Sequence, residues 1–167
     1  MKKIVIVNGH GGNTSFLQYF CQAQLASRRD YALLLFAPSR DPEADAQVKK
    51  LRKTPMDMHA GETETSTILA HRPDLAHAER AKDQSGEDQG RLASLRDAYT
   101  GIWWYARFPN HYAGYGSPAS AQLGELLINS QVEQLVQLLK QVKQDTKILE
   151  LQQRFLDEAA QPLKTPQ

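Results

Sequence analysis

Two short stretches hold the residues whose types and spacing could do chemistry. In Asn8-Gly9-His10-Gly11-Gly12-Asn13 an imidazole stands among glycines. A histidine in such company has little to pack against, so a ligand or base role suits it better than a place in a core. The glycines also let the backbone approach a bound anion, but the turn has neither a GxGxxG pattern nor a Walker Lys-Ser/Thr. The second stretch is Asp57-Met58-His59-Ala60-Gly61-Glu62-Thr63-Glu64-Thr65-Ser66, with one aspartate, one histidine and two glutamates in eight residues. Imidazole and carboxylate donors of this kind suit divalent zinc, manganese or iron, and any of them could serve as a general acid or base. The same string also reads as a capping box, in which a carboxylate ties down the first free N–H groups of a helix. The remaining candidates read more plainly. His71 and His77 flank a polar stretch and read as solvated, His111, beside Tyr112 and near glycines, could line the crevice but need not, Trp103 and Trp104 read as core or interface anchors, and Cys21 as an inert thiol on an apolar helix stripe.

The elements that must position these residues follow from patterning. Ile4-Val5-Ile6-Val7 is β-branched throughout and stops at Asn8-Gly9, as a strand buried on both faces would. From Asn13 the pattern turns helical, with Phe16, Leu17, Phe20, Cys21 and Leu25 on one stripe, and Tyr31 to Ala37 is a second apolar run. Residues 3 to 37 therefore predict a strand, helix, strand unit with a right-handed crossover. A short helix is expected over Pro42 to Lys53, and another from Glu62 until Arg72-Pro73 stops it, which places Glu62 and Glu64 at its positive end. Residues 78 to 91 carry no large apolar side chain and read as a solvated, disorder-prone loop. The aromatic run from Tyr99 to Pro109 reads as a strand or arm at an edge or interface. Ser117-Pro118 is a strong helix start for the apolar series Leu123 to Val142, and Asp145 caps a last helix.

His10 in its glycine turn after a β-branched strand, followed about fifty residues later by His59-Ala60-Gly61-Glu62-Thr63-Glu64-Thr65-Ser66, resembles the creatininase family of metal-dependent amidohydrolases. Gly114-Tyr115-Gly116-Ser117-Pro118-Ala119 is similar to the family's glycine-proline landmark, so the resemblance runs from residue 2 to about 130. It implies an α/β fold, a three-layer α/β/α arrangement with a mostly parallel sheet. It also implies a dinuclear metal site at the strands' carboxyl ends, a metal-bound water as nucleophile and a small-molecule amide as substrate. Carried over residue by residue, His10 and Glu64 are metal ligands, and His59 handles protons at the scissile C–N bond. Asp57 and Glu62 are weaker matches, orienting His59 or a ligand or serving as ligands themselves. The metal would be zinc or manganese, with iron also acceptable. Two departures accompany the resemblance. Gly12 stands where creatininase proper has a metal-binding glutamate, which argues against creatinine as substrate. The family's first part, with its glutamate-x-histidine motif and bridging aspartate, is not found ahead of Ile4. The expected organisation is thus one creatininase-like domain over residues 1–161, the later portion of the family fold, with 162–167 a tail. A partner chain or further copies in a homo-oligomer would complete the site.

Composition narrows the alternatives. With 167 residues the chain can build one domain and a real core, at 41% hydrophobic and 23% charged residues. Twenty basic against nineteen acidic residues leave a net charge of +1, too little to hold a nucleic-acid backbone or an anionic membrane by bulk charge. One cysteine makes no intrachain disulfide, and no apolar run approaches a membrane span or signal core, which points to the cytoplasm. Three readings remain. The first is a metal-dependent amidohydrolase chain, the second a non-catalytic oligomerisation or interaction subunit built on the same half-fold, with its interface on the aromatic run and the helix at 118 to 143. The third is an anion binder at residues 8 to 13.

Overall fold

The computed structural model describes residues 2–39 and 41–164. Two compact units form it, one from the chain's two ends, up to Ser39 and from Glu133, the other from the residues between, as far as Val132.

In the unit of the chain ends, β1 (Lys3–Val7) pairs in parallel with β2 (Ala32–Phe36), and α1 (Thr14–Ala23) connects them. This is the strand, helix, strand unit that the patterning predicts. Burial is lighter than expected. Ile4 to Ile6 are half-buried and Val7 is exposed, because among the described residues β2 is the one strand bonded to β1. The α1 stripe also divides. Leu17 and Cys21 are half-buried, and burial pushes the Cys21 thiol above its ordinary range. Phe16, Phe20 and Leu25 lie exposed instead, the two phenylalanine rings stacked at 6.1 Å. The second half of α5 (Ala121–Gln144) and α6 (Ile148–Ala159) complete this unit. Lys3 Nζ donates to the carbonyls of Val142 (2.6 Å) and Asp145 and pairs with the Asp145 carboxylate at 3.4 Å. One cation thus neutralises the negative end of α5. Asp145 caps α6 as expected, accepting from the N–H groups of Lys147 and Ile148. Gln152 and Gln153 of α6 donate to the carbonyls of Tyr31 and Arg29, fastening α6 beside β2.

The other unit opens on α2 (Pro42–Leu51), where Asp41 caps the N–H groups of Glu43 and Ala44 and Pro42 occupies the first turn. β3 (Asp57–His59) feeds α3 (Glu62–His71), and β4 (Ala113–Gly114) pairs antiparallel with β3. The aromatic run is not a strand. Trp103–Arg107 forms a helical turn, α4, whose Ala106 is buried along with Phe108 just after it. The polar segment before it is fastened rather than loose. Arg91 donates to the carbonyls of Ala106 (2.6 Å) and Tyr105, Arg107 pairs with Asp88 at 2.6 Å, and Gln89 N donates to Arg107 O. α5 begins at Ala121, not at Ser117-Pro118. Ser120 N donates to Ser66 Oγ at 2.9 Å, and Ser120 Oγ accepts from Leu123 N, so a long-range bond fixes the start of the helix. Phe108, Ala113, Leu123 and Ser66 form the buried centre, each at most 1% exposed. A Cβ on Gly124 would fall 2.0 Å from Ser66 O, so the α3 and α5 backbones touch only because that residue is glycine.

Of the expected tail, Pro162–Lys164 make a 3-10 turn, and residues 165–167 lie outside the described residues. No helix among the described residues is long and apolar enough to cross a membrane.

Candidate active site

His10 follows the end of β1 in extended conformation (φ −148°, ψ 127°) and is exposed. Its N–H donates to Asn8 Oδ1 at 3.1 Å, and its carbonyl accepts from Asn13 N at 3.0 Å, which closes the 3-10 turn Gly11–Asn13. A Cβ on Gly12 would lie 2.9 Å from His10 Nε2. The imidazole therefore folds over the bare Gly12 backbone, and a larger residue there would displace the ring.

The second candidate stretch is knitted around the turn from β3 into α3. Asp57 and His59 stand two residues apart on β3, and the register of the β3–β4 pair shifts between them, so that Asp57 lies opposite Gly114 and His59 opposite Ala113. Ala60 turns the chain in the left-handed region (φ 52°), and Gly61 is the N-cap. Glu64 then reaches back. Its Oε2 accepts from Ala60 N at 2.7 Å and lies 3.5 Å from His59 Nδ1. The capping and the chemical readings of this string meet in that one oxygen, while the side chain remains half exposed. Asp57 Oδ2 accepts from Thr63 N at 3.0 Å in the first turn of α3, and Asp57 Oδ1 is buried without a partner among the described residues.

Glu62, expected to orient His59 or a ligand, sits elsewhere. It is 1% exposed, Oε1 accepts from Lys53 N, and Oε2 accepts from Lys53 N, Thr54 N and Thr54 Oγ1, all at 2.8 to 2.9 Å. A carboxylate so engaged closes the end of α2 onto α3 and offers nothing to an ion. His59 and Glu64 are thus brought together with Asp57 on the same turn. Glu62 is turned away from them, and His10 belongs to the other compact unit.

The glycine-proline landmark packs on this turn. Cβ atoms at Gly114 and Gly116 would meet Gly61 Cα at 3.2 Å and Ala60 O at 2.9 Å, and Gly114 has φ 138°, open to glycine alone. The segment ahead of the landmark also presents His111, for which the sequence leaves a place in the crevice open. The His111 ring stands 4.6 Å from His59, edge to face, and Trp104 closes the group at 5.9 Å from His59 and 5.7 Å from His111. The signal for His111 was its place two residues before Ala113, but only the β3–β4 pairing shows that Ala113 lies opposite His59.

Residues 1–139 match the family model for creatininase, described as creatinine amidohydrolase. The chain belongs to the creatininase family. Solved structures agree on the fold. A candidate creatinine amidohydrolase from Bacteroides fragilis NCTC 9343 is 23% identical, with a TM-score of 0.67 over 88% of this chain and 56% of its own. A manganese creatininase is 22% identical, with a TM-score of 0.56 over 82% of this chain and 55% of its own. A mutant creatininase complexed with creatine gives 0.57 at 22% identity, over 82% and 55%. The chain spans a little over half the length of these relatives, and its α/β architecture, with a small parallel pair, is that of the creatininase fold. No curated protein matches it in sequence.

Proposed function

We propose that this creatininase-family chain serves the hydrolysis of a non-peptide amide C–N bond, cyclic or linear, by water activated at a divalent metal ion, zinc or manganese, with iron also suited to the donors. His10 and Glu64 are its ligands in this reading, and His59 carries the proton from the attacking water toward the leaving nitrogen. Such an ion, when bound, lowers the pKa of water and polarises the amide carbonyl. The observation that supports the reading is the His59–Glu64 contact at 3.5 Å on a turn that the glycine-proline landmark closes, in a chain whose residues 1–139 match the family. Gly12, standing where creatininase proper has a metal-binding glutamate, favours an amide other than creatinine. The single thiol suits the cytoplasm.

This chain's own residues do not complete the metal site. Among the described residues no group of three His, Cys, Asp or Glu side chains is placed to hold an ion, whereas a catalytic zinc takes about three protein ligands. Glu62, which could have added donors, spends both oxygens on Lys53 and Thr54, and Asp57 commits Oδ2 to Thr63 N, which leaves its buried Oδ1 as the one oxygen of the pair not so engaged. A second copy of the chain, or a separate chain carrying the family's other part, supplies the rest in this proposal.

Elemental analysis of untagged protein purified without chelators tests it, with His10→Ala and Glu64→Ala beside the parent. One or two equivalents of metal per chain, lost in both variants, is the expected result. No metal in the parent after soaking with zinc or manganese would overturn the stand-alone enzyme. The incomplete donor set also favours a second reading, a non-catalytic subunit that assembles through the aromatic run and α5. In that case Trp103→Ala or Trp104→Ala breaks the oligomer, and His10→Ala leaves it intact.

A further inference from the structure

We propose that the free edge of β1 is an interface between two copies of this chain, joined strand to strand in antiparallel fashion about a two-fold axis at Val5. The inference goes beyond the hydrolase reading and rests on the fold of the unit built from the chain ends.

Register decides which backbone groups the edge offers. Ala32 N donates to Lys2 O at 2.8 Å, and the pairing runs unbroken from Lys3 opposite Ala32 to Val7 opposite Phe36. In a parallel ladder that starts this way, Ile4 and Ile6 turn their N–H and C=O groups to β2, and Lys3, Val5 and Val7 turn theirs to the other side. No strand among the described residues receives them. Proteins commonly blunt such an edge with a bulge, a proline or a charge. β1 has neither bulge nor proline, and its one charge, the Lys3 ammonium, is drawn off to the carbonyls of Val142 and Asp145 and the Asp145 carboxylate.

The edge is complementary to itself. Antiparallel pairing about Val5 sets Lys3 opposite the partner's Val7 and Val5 opposite the partner's Val5, so each outward N–H and C=O meets its complement. Lys3, already neutralised, faces an apolar residue and not a like charge.

The helix above the strands fits the same axis. In a right-handed crossover α1 runs back over β1 and β2, and the flank it turns toward the open side of β1 carries Phe16, Tyr19 and Phe20. These are 62%, 70% and 38% exposed. A two-fold axis through Val5 places the partner's α1 on the same face of the joined sheet, two strand spacings or about 9.5 Å away. Helices pack at about 8–10 Å, so the aromatic flanks of both copies fill the gap. Taking about 200 Å² for a whole aromatic side chain, the exposed parts of the three rings come to about 700 Å² across two copies. The joined strands bring the contact near the roughly 1,000 Å² that a specific interface needs. The two His10 turns fall at opposite ends of the paired strands, so this contact adds no ligand to either.

The test is sedimentation equilibrium of the full chain over about 1–100 µM, the range suited to an interface of this size, with hydrogen exchange read at single amides. The parent forms a reversible dimer, and its Val5 and Val7 amides exchange about tenfold more slowly at the higher concentration, while those of Ile4 and Ile6 are protected at both. Val5→Pro removes an outward N–H and leaves the bonds to β2 in place. Phe16→Glu puts a carboxylate on the exposed flank, in the first turn of α1, where the helix favours it. Both variants are monomeric with the parent's circular dichroism, and Phe16→Glu decides the matter alone where Val5→Pro does not fold. Phe155→Glu, which alters an exposed ring of α6 in the same unit, leaves the dimer intact. A monomeric parent, an assembly unchanged in Phe16→Glu, or one lost equally in Phe155→Glu would each overturn the proposal. A chain that binds no metal would defeat the hydrolase reading and leave this dimer standing.

Discussion

Removing the Glu62 carboxylate asks whether that residue serves the fold or an ion. In Glu62→Ala the N–H groups of Lys53 and Thr54 and the Thr54 hydroxyl lose their common acceptor. An unsatisfied buried donor costs about 1–3 kcal/mol, more when its partner was ionised. Lys53 is exposed and Thr54 half-buried, so water recovers part of that at each position. Three donors at about 1 kcal/mol each give a loss of about 3 kcal/mol. With a urea slope of about 2 kcal/mol/M the unfolding midpoint falls by about 1.5 M. Glu62→Gln, which keeps one acceptor oxygen and turns an amide N–H₂ toward the same donors, should recover less than half of this. The assay is urea unfolding followed by tryptophan fluorescence, with metal content measured on the same samples. A midpoint unchanged in Glu62→Ala while bound metal disappears would refute the reasoning, because it would make Glu62 a ligand and not a clasp.

Other outcomes follow from the same geometry. Gly124→Ala puts a methyl 2.0 Å from Ser66 O and should cost about 1–3 kcal/mol by forcing α3 and α5 apart, read as a lower melting temperature. The Arg107 guanidinium beside Asp88 holds its carboxyl below the usual carboxylate range. A depressed folded-state pKa contributes stability above the unfolded value of about 3.9 and loses it as pH falls through the folded value. Asp88→Asn should therefore be less stable than the parent at pH 7 and indistinguishable from it at about pH 2 or below, checked by unfolding at both. A difference that persists in acid would assign the effect to packing.

The elements that local physics decides were legible in the chain. A β-branched run, a helical stripe and a second apolar run gave β1, α1 and β2, and Asp145 and Glu62 mark the first turns of α6 and α3. What depended on distant partners was not. Ser117-Pro118 has the local chemistry of a helix start, but the bond from Ser120 N to Ser66 Oγ, fifty-four residues away, moves the start to Ala121. The aromatic run reads as an arm until Arg91 and Arg107 fold the polar segment around it. At the site, type and spacing nominated His59, Glu64, Asp57 and Glu62 alike. Spacing does not tell a carboxylate that reaches back along its own helix from one buried against another loop, and that difference separates Glu64 from Glu62. For His111 a place in a crevice was legible but its neighbour was not, because His59 lies across a strand pair whose β4 has two residues.

The lysine that caps α5 also sets an order of events in synthesis. Lys3 leaves the ribosome about 140 residues ahead of the Val142 and Asp145 carbonyls that receive its ammonium group. At roughly 5–20 residues per second that is a wait of about 7–28 seconds, far longer than helices and hairpins need to form. The segment between, with its own buried centre, is positioned to fold during that interval, and β1 and β2 stand half-clothed until α6 arrives. Contacts of such long sequence separation are the slow ones in folding. This interval exposes the apolar faces of Ile4, Ile6 and Leu34 to other nascent chains, and a chaperone that shields the segment from β1 to β2 would raise the yield of native protein more than one acting on the segment between β2 and α5.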